Sequence, residues 1–117
     1  MSLKTDMHTA LMTVAPTAPA KNSQFYGGKE LTYITFFCYN EQGEVYAENK
    51  EIETGYYFQI DLWQKENGTS DLNVLKENIR SVLEPLGFMG FNPRELYETD
   101  TKINHIAIRC NYTEERL

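Results

Sequence analysis

The sequence predicts an α+β domain: a small, mostly antiparallel sheet, in the order α-β-β-α-β-β, with two helices packed on one face. Three observations carry this. Apolar residues recur at helical spacing in two segments, beginning at Leu3 and at Leu72. Each segment is followed by a pair of runs rich in β-branched and aromatic residues. No helical segment separates the two members of a pair, so each pair is expected to fold back as an antiparallel hairpin.

The first helix is placed over Leu3 to Val14, where Leu3, Met7, Ala10, Leu11 and Val14 share a stripe. Ser2 stands at its cap position, and Pro16 and Pro19 stop it. Residues 1–29 therefore read as an N-terminal helix and an irregular crossing, with Gly27-Gly28 as a turn. Leu31 to Tyr39 carries aromatic and β-branched residues on both parities, the composition of a strand covered on both faces. Asn40 to Gly43 is turn chemistry, and Glu44 to Asn49 extends the acidic arm, 40–55, as a second short strand.

From Thr54 to Trp63 the alternation is clean. Tyr56, Phe58, Ile60 and Leu62 take one face, and Tyr57, Gln59, Asp61 and Trp63 the other. Ser70 or Asp71 then caps a helix whose stripe is Leu72, Leu75, Ile79, Val82, Leu83 and Leu86. Pro85 and Gly87 end it. Residues 88–93 read as a connection, and Arg94 to Glu98 pairs with Lys102 to Asn111 about a turn at Thr99-Asp100-Thr101.

With 117 residues, the chain has room for a single domain over 1–117. Hydrophobic residues at 41% and charged residues at 24% mark it as globular. A net charge of −6 argues against general affinity for nucleic-acid phosphates. No apolar run approaches the roughly 20 residues that cross a bilayer. Leu11 to Val14 is too short and interrupted to be a signal-peptide centre. Cys38 and Cys110 fall in strand-like runs without a CxxC pattern, so they are expected to be reduced, packed thiols.

No catalytic, cofactor-binding or metal-ligating set emerges. Gly87 and Gly90 follow a helix rather than open one, unlike a phosphate-binding loop. His8, Cys38, His105 and Cys110 are scattered, and residues 105 and 110 point to opposite faces of one strand. Asp61 and Arg109 share a face and are expected to pair across strands.

The second sheet face is the informative feature. With two helices on the other side, Tyr57, Trp63, Ile103 and Ala107 are expected to be exposed among Gln59, Asp61, His105 and Arg109. Such a face suits a subunit or partner interface, with Tyr57, Trp63, His105 and Arg109 as its candidate residues. Alternatively, the N-terminal segment or the 40–55 arm folds over it. In the arm, Glu41, Glu44, Glu48, Glu51 and Glu53 face only Lys50.

The order and spacing of these segments resemble a family. The Tyr-rich strand Tyr33 to Tyr39 comes first, then Ala47-Glu-Asn49 and the "YYFQIDLW" strand from Tyr56 to Trp63. A Leu-rich helix ending at Gly87-Phe88 and a "YETD…H" hairpin from Tyr97 to His105 complete the pattern. Together they are similar to the small tail-completion proteins of long-tailed bacteriophages and prophages, also called tail terminators or head–tail joining proteins. The resemblance covers residues 3–113. It implies a structural, non-enzymatic virion protein that caps the tail tube as a ring, often a hexamer, and joins tail to head. The implied partners are further copies of itself, the tail-tube protein and the head connector, with DNA passing nearby without specific binding and no cofactor or membrane. The implied places are the bacterial host cytoplasm during assembly and then the tail of the virion. In such a ring the acidic arm is expected to point toward the lumen through which DNA passes, or toward the connector beside it; the alternative is an arm that only keeps the chain in solution. The alternative from another class is a monomeric protein-interaction module, such as a phage-encoded binder or inhibitor of a host protein.

Overall fold

The computed structural model describes residues 3–19, 31–47, 50–98 and 103–115. Helix α1 spans Leu3–Met12 and is followed by strand β1, Thr17–Pro19. Strands β2, Thr32–Ala47, and β3, Lys50–Gln64, come next. Helix α2, Leu72–Leu83, runs into a 3-10 turn, Glu84–Leu86. Strands β4, Met89–Glu98, and β5, Ile103–Glu115, complete the chain. The five strands form one sheet in the order β1-β2-β3-β5-β4. The α+β class is as expected, but the sheet is mixed, because β1 runs parallel to β2 while the other pairs are antiparallel.

Both helices pack on one face. Met7 and Leu11 from α1 and Ile79 and Leu83 from α2 close over Ile34, Phe36, Phe58, Ile60, Leu62, Ile106, Ile108 and Cys110. The apolar stripes and the strict alternation in β3 dictate this layer. Asp71 caps α2, its Oδ1 accepting from the backbone N–H groups of Asn73 at 3.0 Å and Val74 at 3.3 Å. Gly87 ends the following turn with φ of 105°, a conformation open to glycine at little cost.

Three expectations are corrected. Residues 17–19, read as part of an irregular crossing, form β1 instead: the Ile34 backbone N–H donates to Pro16 O at 2.8 Å, seating the chain on the edge of β2. Asn40 to Gly43 is not a turn. β2 runs through it, 16 residues long, paired with β3 over nearly its whole length. The register shift between Cys38 and Asn40 absorbs the polar sequence as a bulge, and Asn40 Nδ2 donates to Gln42 Oε1 at 3.0 Å. Lastly, residues 89–93 are strand rather than connection. Pro93 is tolerated because β4 is an edge, where its missing N–H leaves no ladder partner unsatisfied. The positions of Ser2, Gly27-Gly28 and Thr99-Asp100-Thr101 lie outside the described residues.

β2 and β3 are about three times the usual strand length of five to six residues. At about 3.3 Å per residue, 16 residues span about 50 Å, which accounts for the molecule's longest dimension of 55 Å. The described residues of the expected arm, 40–47 and 50–55, are thus a paired extension of the sheet. Among the described residues, no helix is long and apolar enough to cross a membrane.

Both cysteines are free, Cys110 buried and Cys38 half-buried. Each lies beside Phe58, one on either side, so two strand spacings of about 4.8 Å separate them, beyond the reach of a disulfide. Burial pushes the Cys110 thiol from its ordinary 9.0 up to about 12. Above pH 9 the unfolded chain ionises this thiol while the folded chain does not, so stability falls as pH rises from about 9 toward about 12. We expect a thiol-alkylating reagent at neutral pH to label Cys38 in the native protein and Cys110 only on unfolding. Mass spectrometry of peptides from native and urea-treated samples checks this, and equal labelling of both in the native state would contradict it.

Candidate interaction face

On the side of the sheet away from the helices, strand register sets the rows. Trp63 lies between Tyr33 and His105, Asp61 between Thr35 and Ala107, and Gln59 between Phe37 and Arg109. β4 adds Leu96, Arg94 and Asn92 beside His105, Ala107 and Arg109. Farther along β3, Tyr57 pairs with Asn40 and Asn111, and Glu53 with Glu115.

One end of this face is a small apolar cluster of Tyr33, Trp63 and Ile103. Trp63 is 5% exposed, and its ring stacks on His105 with centroids 3.8 Å apart and planes 10° from parallel. On its other flank it stacks against Tyr33 at 6.3 Å. Trp63 Nε1–H donates to Thr35 Oγ1 at 2.9 Å, so the one polar atom of the indole is satisfied inside.

The cluster grades into a polar relay. Asp61, 2% exposed, accepts two hydrogen bonds on Oδ1, from His105 Nε2 at 2.6 Å and from Gln59 Nε2 at 3.0 Å. A carboxylate only accepts, so His105 carries its proton on Nε2. Gln59 turns its Oε1 toward Arg109, whose Nε–H donates at 3.3 Å. The Arg109 guanidinium sits over the Tyr39 ring, 4.9 Å from its centroid, and Tyr39 lies 6.3 Å from Tyr57. Contacts thus run unbroken from buried Thr35 to exposed Tyr39. Tyr39 is the bulge residue that β3 leaves unpaired, turned onto this face beside Asn40.

The candidate residues therefore separate into two groups. Arg109 is exposed and Tyr57 half-buried, on the part of the face that solvent reaches. Trp63 and His105, expected to be exposed, are buried within the chain, as is Ile103. Among the described residues, stacking and hydrogen bonding between strands give Trp63 and His105 their partners, and most of the N-terminal crossing expected as an alternative cover, 20–29, lies outside the described residues. The arm does not fold over them, because it continues the sheet. The expected Asp61–Arg109 pair is also replaced. Asp61 stands opposite Ala107 and Arg109 opposite Gln59, so the two charges communicate through the Gln59 amide.

Of the acidic residues, Glu41 is exposed and Glu53 half-buried. Glu44 and Glu51 take places in β2 and β3, and Glu48 lies outside the described residues. Sequence reasoning missed Arg94 and Tyr39. Arg94 was legible in principle, since hairpin register puts it beside Ala107, whereas Tyr39 depends on the bulge. Around Arg94, Arg109, Gln59, Asn92 and His105 the face forms an open depression of about 360 Å³. Its lining offers guanidinium and amide donors to a partner. Among the described residues, His105 makes no hydrogen bond to a serine, threonine or cysteine side chain, and no group of three or more His, Cys, Asp or Glu is placed to hold a metal. No protein-family model and no curated protein matches this chain.

Trp63→Ala is expected to destabilise the folded chain by about 3–5 kcal/mol, the scale for truncating a buried large aromatic. Asp61→Ala, which strands two donors, is expected to cost about 1–3 kcal/mol. Urea unfolding followed by far-UV circular dichroism measures both. A Trp63→Ala variant as stable as the parent would return Trp63 to the role of an exposed anchor.

Proposed function

We propose that the protein is a structural component of phage or prophage virion assembly that closes the tail tube and joins the tail to the head as a ring of copies. The observation that supports this best is the face just described. It is a sheet surface on which exposed Arg109 and Tyr39 are held over a buried hydrogen-bonded base, with exposed Arg94 beside them, as contact surfaces are built. The order of segments that resembles tail-completion proteins supplies the biological setting. In such a ring the acidic hairpin adds negative charge along the DNA path, where it repels phosphates on close approach within about 8 Å. A monomeric binder of a host protein would use the same face, and the two readings differ in what loss of the protein does to particles.

Deleting the gene from its source phage or prophage is expected to leave filled heads and tails unjoined, or tails of irregular length, in negative-stain electron micrographs. Supplying the intact protein in trans should restore joined particles. Normal infectious particles from the deletion would refute the assembly role and favour the binder.

A further inference from the structure

We infer that the free protein pairs with a second copy of itself, face to face and antiparallel, through the open part of this sheet surface. The inference rests on the charge pattern of the face and is independent of the role in tail assembly.

Arg94 and Arg109 form a basic zone on the second face. Among the described residues, exposed Arg94 makes no hydrogen bond or ion pair, and Arg109 is held by Gln59 and Tyr39 with no carboxylate bonded to it. Six residues farther along β3, about 20 Å at 3.3 Å each, Glu53 stands directly opposite Glu115. Both have the parity of Tyr57 and Gln59, so they share the face with the arginines. Neither makes an ion pair among the described residues. Like charges directly opposed across strands destabilise a sheet. Among the described residues the face thus carries an acidic row and a basic zone without ion-pair partners, too far apart to satisfy each other.

A second copy resolves both at once. Because the two zones lie on one face, turning a copy antiparallel over the first sets its Glu53 and Glu115 over Arg94 and Arg109, and its arginines over the first copy's glutamates. The twofold axis then passes near Tyr57, midway between the zones, where Tyr39 and Tyr57 supply an aromatic centre. The contact is isologous and closes at two. Three to four strands about 4.8 Å apart, followed over nine residues, cover about 500 Å² per copy. Twice that is about 1,000 Å², the lower end for a specific interface, so the pair should be modest in affinity and sensitive to salt.

Sedimentation velocity of the full chain tests this. The expected result is a dimer at low salt that dissociates as salt rises. Arg94→Glu with Arg109→Glu should leave monomers, as should Glu53→Arg with Glu115→Arg, each reversal weakening association by about ten-fold or more. The decisive arm mixes these two monomeric variants. One face is then wholly acidic and the other wholly basic, and a one-to-one heterodimer should form. Arg94 has no polar contact among the described residues, so Arg94→Glu alone carries the test should a double variant fail to fold by circular dichroism. A parent protein that stays monomeric at low salt overturns the pairing, as do reversals that leave the dimer intact or a mixture that does not associate. A larger ring insensitive to the reversals also overturns the pairing and leaves the assembly role standing, since that role is judged on particles.

Discussion

Asp61 is a carboxylate set in the middle of a five-stranded sheet, and the second face is organised around satisfying it. An ionised group buried without partners costs several kcal/mol, so the position is tenable only if donors converge on it. His105 and Gln59 do so from either side. Each donor is thereby fixed in orientation, and each fixes something further. His105 becomes a flat platform for Trp63, whose indole N–H is taken by Thr35. Gln59 spends its amide N–H on Asp61 and is left with a carbonyl oxygen to steer Arg109. One buried charge thus sets the geometry of side chains on β2, β3 and β5.

The opposite face solves a simpler problem. Its residues are apolar, the two helices exclude water from them, and burial itself supplies the stabilisation, at roughly 25 cal/mol per Å². The division of labour follows from β3, which lies at the centre of the sheet order and contributes to both layers. Its even-numbered residues Phe58, Ile60 and Leu62 build the helix-covered core, and its odd-numbered residues Gln59, Asp61 and Trp63 build the polar relay. A slip of one residue would exchange the two sets, so register here is specified from both sides.

Much of this was legible in the sequence, and what was not has physical causes. The helix stripes, the capping aspartate and the alternation of β3 are local patterns, and local patterns survive into the fold. Burial of Tyr33, Ile34, Thr35 and Phe36 on both parities was likewise written in the composition of β2. Three features needed the third dimension. Asn40 to Gly43 has the chemistry of a turn, yet partners on β3 held it extended, pairing overriding local preference. The face residues were assigned by parity, which is correct, but parity says nothing of exposure. Trp63 and His105 are buried and stack on each other, a contact between strands that no single strand announces. The partner of Asp61 turned on whether its neighbour is Ala107 or Arg109, a difference of one row that only the register reveals.

The bulge beside Tyr39 changes what the hairpin can tolerate over evolutionary time. Before it, even-numbered residues of β2 share a face with the core, as Phe36 does opposite Ile60; beyond it the odd-numbered ones do, as Glu41 does opposite Tyr56. The extra residue works as a phase shifter, uncoupling the reading frame of the distal hairpin from that of the sheet body. Further shifts at Gly43/Val45 and Val45/Tyr46 repeat the device toward the tip. Single-residue insertions or deletions beyond Cys38 can then be absorbed by moving or adding a bulge, without turning Ile34 or Phe36 out of the core. The outer hairpin is therefore free to vary in length and chemistry while the body that carries it stays fixed.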